Sequence, residues 1–206
     1  VYIKENNRLT IGNITATGNE NNIFLETRNG NAWFGQSNSR ITAVGGKVSV
    51  SAYDGNISVS PDNFLEVIEA DTAILVSKQD FGSSIKNFKI KVKVLSTSTS
   101  AVNANTYIEN TDAITDLDVT TADGQVSIQS ATTGLIFNKN TKKLTLTNGA
   151  GTSLSFSNDA GDIILDGMHL GSNNLSLNTS CAILHSSGPL IAGEATVAAG
   201  KNTCNP

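Results

Sequence analysis

Apolar and polar residues alternate along this chain in short stretches. Val48-Ser49-Val50, Ile57-Ser58-Val59, Leu144-Thr145-Leu146, Leu154-Ser155-Phe156 and Leu175-Ser176-Leu177 each put an apolar side chain at every second position, which is the period of a strand with one buried face. Up to residue 59 the predicted strands are Tyr2-Ile3, Leu9 to Ile11, Ile14 to Ala16, Ile23 to Leu25, Trp33-Phe34, Ile41 to Ala43, Val48 to Val50 and Ile57 to Val59. Asn29-Gly30, Gly45-Gly46 and Asp54-Gly55 fall between them. These dipeptides suit positive-φ turn positions, hence tight turns in hairpins or corners in a coil.

The cadence is written twice. Tyr2-Ile3, Leu9-Thr10 and Ile14-Thr15 match Tyr107-Ile108, Ile114-Thr115 and Val119-Thr120 at one offset of 105 positions. After a two-residue slip, Trp33-Phe34 meets Ile136-Phe137, and the last pairs set Gly55 to Val59 against Gly161 to Leu165 at an offset of 106. Such recurrence is expected of an array whose neighbouring units bury each other's apolar faces. The chain is therefore divided into a coiled body, residues 1–180, holding the duplicated unit 2–59 and 107–165, and a tail, residues 181–206. With roughly 20 to 30 residues per coil and about 4.8 Å between stacked strands, it would form a rod on the order of 35 to 50 Å long.

Between the two copies, Pro61-Asp62-Asn63 reads as a loop, and Phe64 to Glu69 as a strand or one helical turn. Ile85, Phe88, Ile90, Val92 and Val94 read as one long strand whose opposite face carries Lys89, Lys91 and Lys93. That basic stripe suits a solvated face that blunts edge pairing. The alternative is a contact for an anionic glycan or a neighbouring subunit. Ser96 to Ser100 is a polar corner or a Thr/Ser ladder.

Composition narrows the classes. Hydrophobic residues make up 38% and charged residues 16%, a balance expected of a chain that folds. A net charge of -4 and a pI near 5.1 argue against a nucleic-acid partner, which calls for a concentrated basic surface. Runs such as Ala73-Ile74-Leu75-Val76 fall far short of the roughly 20 apolar residues of a membrane span. The chain opens within a repeat, as expected of a piece of a longer array or of a processed protein. Both cysteines, Cys181 and Cys204, sit in the tail. A disulfide between them would close a C-terminal cap and imply an oxidising compartment. Two unrelated buried thiols are the alternative, and His169 and His185 lack the spacing of a metal pair.

The run Tyr107-Ile108, Ile114-Thr115, Val119, Gly124 to Ile128 and Gly134 to Ile136, with its twin from Tyr2, resembles the repeats of filamentous-haemagglutinin-like bacterial exoproteins. The resemblance implies an all-β fold, a right-handed parallel β-helix, placed outside the cell at the bacterial surface. It implies an adhesive, stalk or fibre role with no catalytic residues and no cofactor. End-to-end self-association and a host or matrix glycan are the partners considered.

Two other readings fit the same pattern. A parallel β-helix can be a carbohydrate-active enzyme, for which Asp112, Asp116, Asp118 and Asp123 are the densest acidic group. They read as turn residues or, less simply, a weak calcium site. Tandem β-sandwich domains of about 100 residues each would also explain a doubled chain.

Overall fold

The computed structural model describes residues 1–18, 21–83 and 85–112 with their side chains. Beyond them it describes mainly the backbone of 116–121, 126–130, 135–137, 145–146, 153–158, 163–169, 174–179, 182–191 and 193–200. These residues form a parallel β-solenoid of about five turns, with no helix among them.

The first turn is β1 (Tyr2–Glu5), β2 (Leu9–Ile11) and β3 (Asn13–Thr15), one strand on each of three faces. The second places β4 (Ile23–Thr27) on β1, β5 (Ala32–Phe34) on β2, and the start of β6 (Arg40–Ala52) on β3. The rest of β6 rounds the corner onto β4 and begins the third turn, which continues through β7 (Ile57–Val59) and the start of β8 (Ile68–Ser77). The fourth turn comprises the end of β8, a single bridging residue, Phe81, and β9 (Phe88–Lys91). The fifth comprises β10 (Val94–Thr99) and β11 (Thr106–Asn110). A turn takes 25 residues from Leu25 to Val50 and again to Leu75, but 20 from Ile90 to Asn110.

Parallel, in-register stacking makes each inward side chain the neighbour of its counterpart one turn away. On the first face Ile3, Leu25, Val50, Leu75, Thr97 and Val119 form one row. On the third face Ile14, Ile41, Ile68 and Ile90 do the same. β-branched side chains at strand spacing interlock along the axis, so the sequence preference and the packing agree. Phe34 and Phe88 meet edge to face in the interior, with centroids 5.3 Å apart at 70°.

Corners interrupt the backbone ladders, and buried polar side chains repair them. Thr27 donates its hydroxyl to the carbonyl of Asn7 one turn below, and Ser77 does so to Gly55 at 2.7 Å. Asn110, fully buried, ends the isoleucine row. Its amide nitrogen donates to the Val92 carbonyl and its oxygen accepts from the Val92 N–H, both at 2.9 Å. The side chain thus satisfies both backbone groups of Val92, which would otherwise be buried without partners.

The coil changes shape at Thr106. In the first turn Gly12 alone joins the second face to the third, whereas residues 35–39, 60–67 and, with 82–83 and 85–87 described, a third loop bulge outward there in the next three turns. In the fifth turn β11 crosses without a break, with Thr106 over Phe81 and Ile108 over Phe88. Gly82, at φ +62°, lets the chain leave the sheet where a Cβ would stand 2.7 Å from the Tyr107 carbonyl.

The remaining strands are β12 (Asp116–Thr121), β13 (Val126–Ser130), β14 (Leu135–Phe137), β15 (Thr145–Leu146), β16 (Ser153–Asn158), β17 (Ile163–His169), β18 (Asn174–Thr179), β19 (Ile183–Ile191) and β20 (Ala195–Ala199). β13, β16, β18 and β20 stack in turn on β11. β17 pairs with β14 and β19. Parallel ladders thus include residues 183–191 and 195–199 of the tail. Cys181 and Cys204, and with them the disulfide cap, lie outside the described residues.

Several local expectations are corrected. Ile85 belongs to no strand and is 95% exposed. It is three positions from Phe88, so strand alternation cannot bury both. The long strand also breaks at Lys93, after which Leu95 rather than Val94 points inward. Gly45-Gly46 does make the expected corner, with Gly45 at φ +76°, but β6 continues through it with a register shift rather than ending there. Residues 64–67 form a loop rather than a strand or helical turn. Ser96 to Ser100 resolves mostly into β10, with Thr97 and Thr99 buried. Finally, Ile3 stacks on the first face and Ile108 on the third. The 105-residue recurrence thus reflects strand cadence rather than equivalent positions around the coil.

Replacing Ile68 by alanine should lower the unfolding free energy by about 2–5 kcal/mol, through lost burial and the cavity left behind. Asn110→Leu should cost about 2–4 kcal/mol, because two buried backbone groups lose their partners. Urea denaturation followed by circular dichroism measures both, and an Asn110→Leu chain as stable as the parent would contradict the corner-repair account.

Candidate functional site

Loops carried on a rigid scaffold are the usual seat of binding, and here three of them protrude at one corner. Residues 35–39, 60–67 and the third loop, described at 82–83 and 85–87, lie on successive turns and hold each other. Asn63, buried, donates its amide to the Ser39 carbonyl of the loop below at 3.0 Å. Its oxygen accepts from the Leu65 N–H at 3.1 Å, shaping its own loop. In the third loop, Ser83 and Lys86 exchange backbone hydrogen bonds of 2.9 and 3.1 Å, closing a tight turn. The Lys86 ammonium lies 3.7 Å from the centre of the Phe64 ring, a cation–π contact that joins the second loop to the third.

Between these loops lies an open cleft of about 340 Å³, lined by Asn63, Phe64, Ile85, Lys86, Asn87, Lys89 and Glu109. Phe64 is 74% and Leu65 48% exposed, and with Ile85 they concentrate bare apolar surface on two neighbouring loops. Sequence reading missed this site because it threaded Ile85 into a strand. The signal was present: Ile85 is out of phase with Phe88, and Phe64-Leu65 directly follows the turn residues Pro61-Asp62-Asn63.

The lysine stripe borders the cleft. Lys89 pairs with Glu109 one turn above at 3.2 Å, Lys91 with Glu69 one turn below at 3.0 Å, and Lys93 with Asp71 at 3.5 Å. Glu69 also binds Arg40. Lys89 and Glu109, and Glu69 and Lys91, are direct cross-strand partners in the ladder. The Glu69 hydrogen bond, and then its charge, hold the Lys91 ammonium above its usual pKa. The three lysines thus lie together as read from the sequence, each against an acidic residue of an adjacent turn.

Charges zip turns elsewhere too. Lys4 lies 3.2 Å from Glu26 and Lys78 2.8 Å from Asp54. Arg8 stacks over Trp33 at 3.9 Å. The Tyr2 hydroxyl donates to Glu26 at 3.0 Å and is the main reason that carboxyl titrates below its ordinary value.

Among the described residues no group of three or more His, Cys, Asp or Glu is placed to hold a metal ion. Asp116 and Asp118 lie on β12, opposite Val94 and Ser96 in the ladder. Asp123 lies outside the described residues. His185 stacks on Leu165 and His169 on Ile191 in the backbone register of β17 and β19. The site and scaffold together define a parallel β-solenoid with a loop-borne cleft. Comparison with protein-family models, with curated proteins and with solved structures finds no match.

Glu26 supplies a pH test. A carboxyl whose folded pKa is depressed contributes stability above its unfolded value, near 4.5, and that contribution is lost as pH falls through the lower folded value. Glu26→Gln should therefore melt a few degrees below the parent at pH 7. The two melting curves should converge as the pH is taken progressively below 4.5, and a gap that did not narrow on acidification would assign the effect to packing instead.

Proposed function

We propose that this chain is a non-catalytic structural and adhesive protein of the extracellular bacterial surface. In this reading it is a β-helical stalk segment of an exoprotein of the filamentous-haemagglutinin-like kind, right-handed as in that family, or a subunit of an end-to-end fibre. The observation that carries the reading is where the charges go. Lys4, Arg40, Lys78, Lys89, Lys91 and Lys93 each pair with a carboxylate on a neighbouring turn. These side chains bind turn to turn rather than converging on a reacting centre, which is what a load-bearing rod requires and a groove enzyme does not.

Stacked coils also favour extension. The ladder of one turn offers backbone N–H and C=O groups to the next, so another coil or another copy can add along the axis. A host or matrix glycan remains the external partner for the adhesive role.

Small-angle scattering together with electron microscopy of concentrated protein tests the proposal. Elongated particles that associate end to end, with no cleavage of a polysaccharide panel, are expected. Compact particles, or glycan cleavage abolished by substituting Asp112, Asp116 or Asp118, would replace it with a globular or enzymatic reading.

A further inference from the structure

From the loop corner we infer that the cleft between Phe64 and Ile85 receives an apolar side chain of a protein partner, with a partner carboxylate beside it paired to Lys86. This names a second, protein-directed contact within the adhesive role proposed above, and it rests on that reading only for the presence of an external partner.

Three observations select this occupant. First, the cleft's walls include the two most exposed large apolar residues described, Ile85 and Phe64, and its volume of about 340 Å³ admits a large side chain with room to spare. Bare aromatic and aliphatic anchors ringed by polar residues are the pattern of a protein-binding hot spot. Second, part of the lining is engaged with itself. Asn63 uses its amide on Ser39 and its oxygen on Leu65, while Lys89 and Glu109 pair with each other. Lys86 covers one face of the Phe64 ring, which leaves less of the flat surface on which a sugar ring stacks, and the glycoside arm of the test below decides between the two occupants. Third, Lys89, Lys91 and Lys93 each have a carboxylate partner, whereas the Lys86 ammonium meets the Phe64 ring and no carboxylate among the described residues. Its ammonium is the unneutralised charge at the cleft, so the complementary group is anionic.

Nuclear magnetic resonance titration of the whole chain with capped tripeptides tests this. Glu-Phe-Glu should give saturable shifts of the Phe64 ring and Ile85 methyl signals. Glu-Ser-Glu and Lys-Phe-Lys should bind at least about tenfold more weakly. Phe64→Ser and Ile85→Ser should abolish the saturable shifts, and Lys86→Gln should weaken binding about tenfold and flatten its salt dependence. Both apolar residues are exposed, so melting curves should match the parent. If Phe64→Ser nevertheless unfolds, Ile85→Ser and Lys86→Gln decide the matter. The inference is overturned if no peptide shifts these signals, if methyl glycosides shift them and peptides do not, or if folded variants bind like the parent. None of those outcomes alters particle shape, which judges the structural role separately.

Discussion

One constraint governs the described strands: adjacent turns pair in parallel and largely in register, so a strand residue has its counterpart on the next turn as a close neighbour. An inward isoleucine is best served by another isoleucine, as in the row from Ile14 to Ile90. An outward lysine is best served by a carboxylate one turn away, as Lys91 is by Glu69. Side chains that break a row must satisfy the backbone in their own way, which is what Asn110 does for Val92.

The same constraint explains what was legible in the sequence. Period-two segments such as Ile57 to Val59 announce strands wherever one face is buried, and turn dipeptides such as Asn29-Gly30 mark corners. Leu9–Ile11 and Ile57–Val59 are strands to the residue. The face on which each segment lies was not legible, because coils of different length share a cadence without sharing a position. The pairing of the lysine stripe was hidden for a similar reason. Glu109 stands 20 residues from Lys89, and Glu69 22 residues from Lys91, separations that only the register makes adjacent.

The cleft escaped notice because loops obey a different logic from rungs. A residue such as Ile85 is apolar without being buried, and composition alone reads it as core. Only the parity of its distance from Phe88 betrays it. The excursions do not disturb the scaffold, since Val67 rejoins the ladder through hydrogen bonds to the backbones of Ile41 and Lys89. Decoration and framework are thus separable here, as in other repeat architectures, where insertions cluster on one face.

Thr97 shows what such stacking means under tension. It replaces an aliphatic side chain between Leu75 and Val119, and its buried hydroxyl has no hydrogen-bond partner among the described residues. Hydrogen bonds in a solenoid run along its axis, so axial force loads successive interfaces in series, while the bonds within each interface share that force. A rod of this kind yields at its weakest seam rather than stretching evenly. Arg40 Nε and Asn56 Oδ1, on the second and third turns, are buried without a partner among the described residues as Thr97 Oγ1 is on the fifth, so such points of weakness are spread along the coil rather than gathered at one seam.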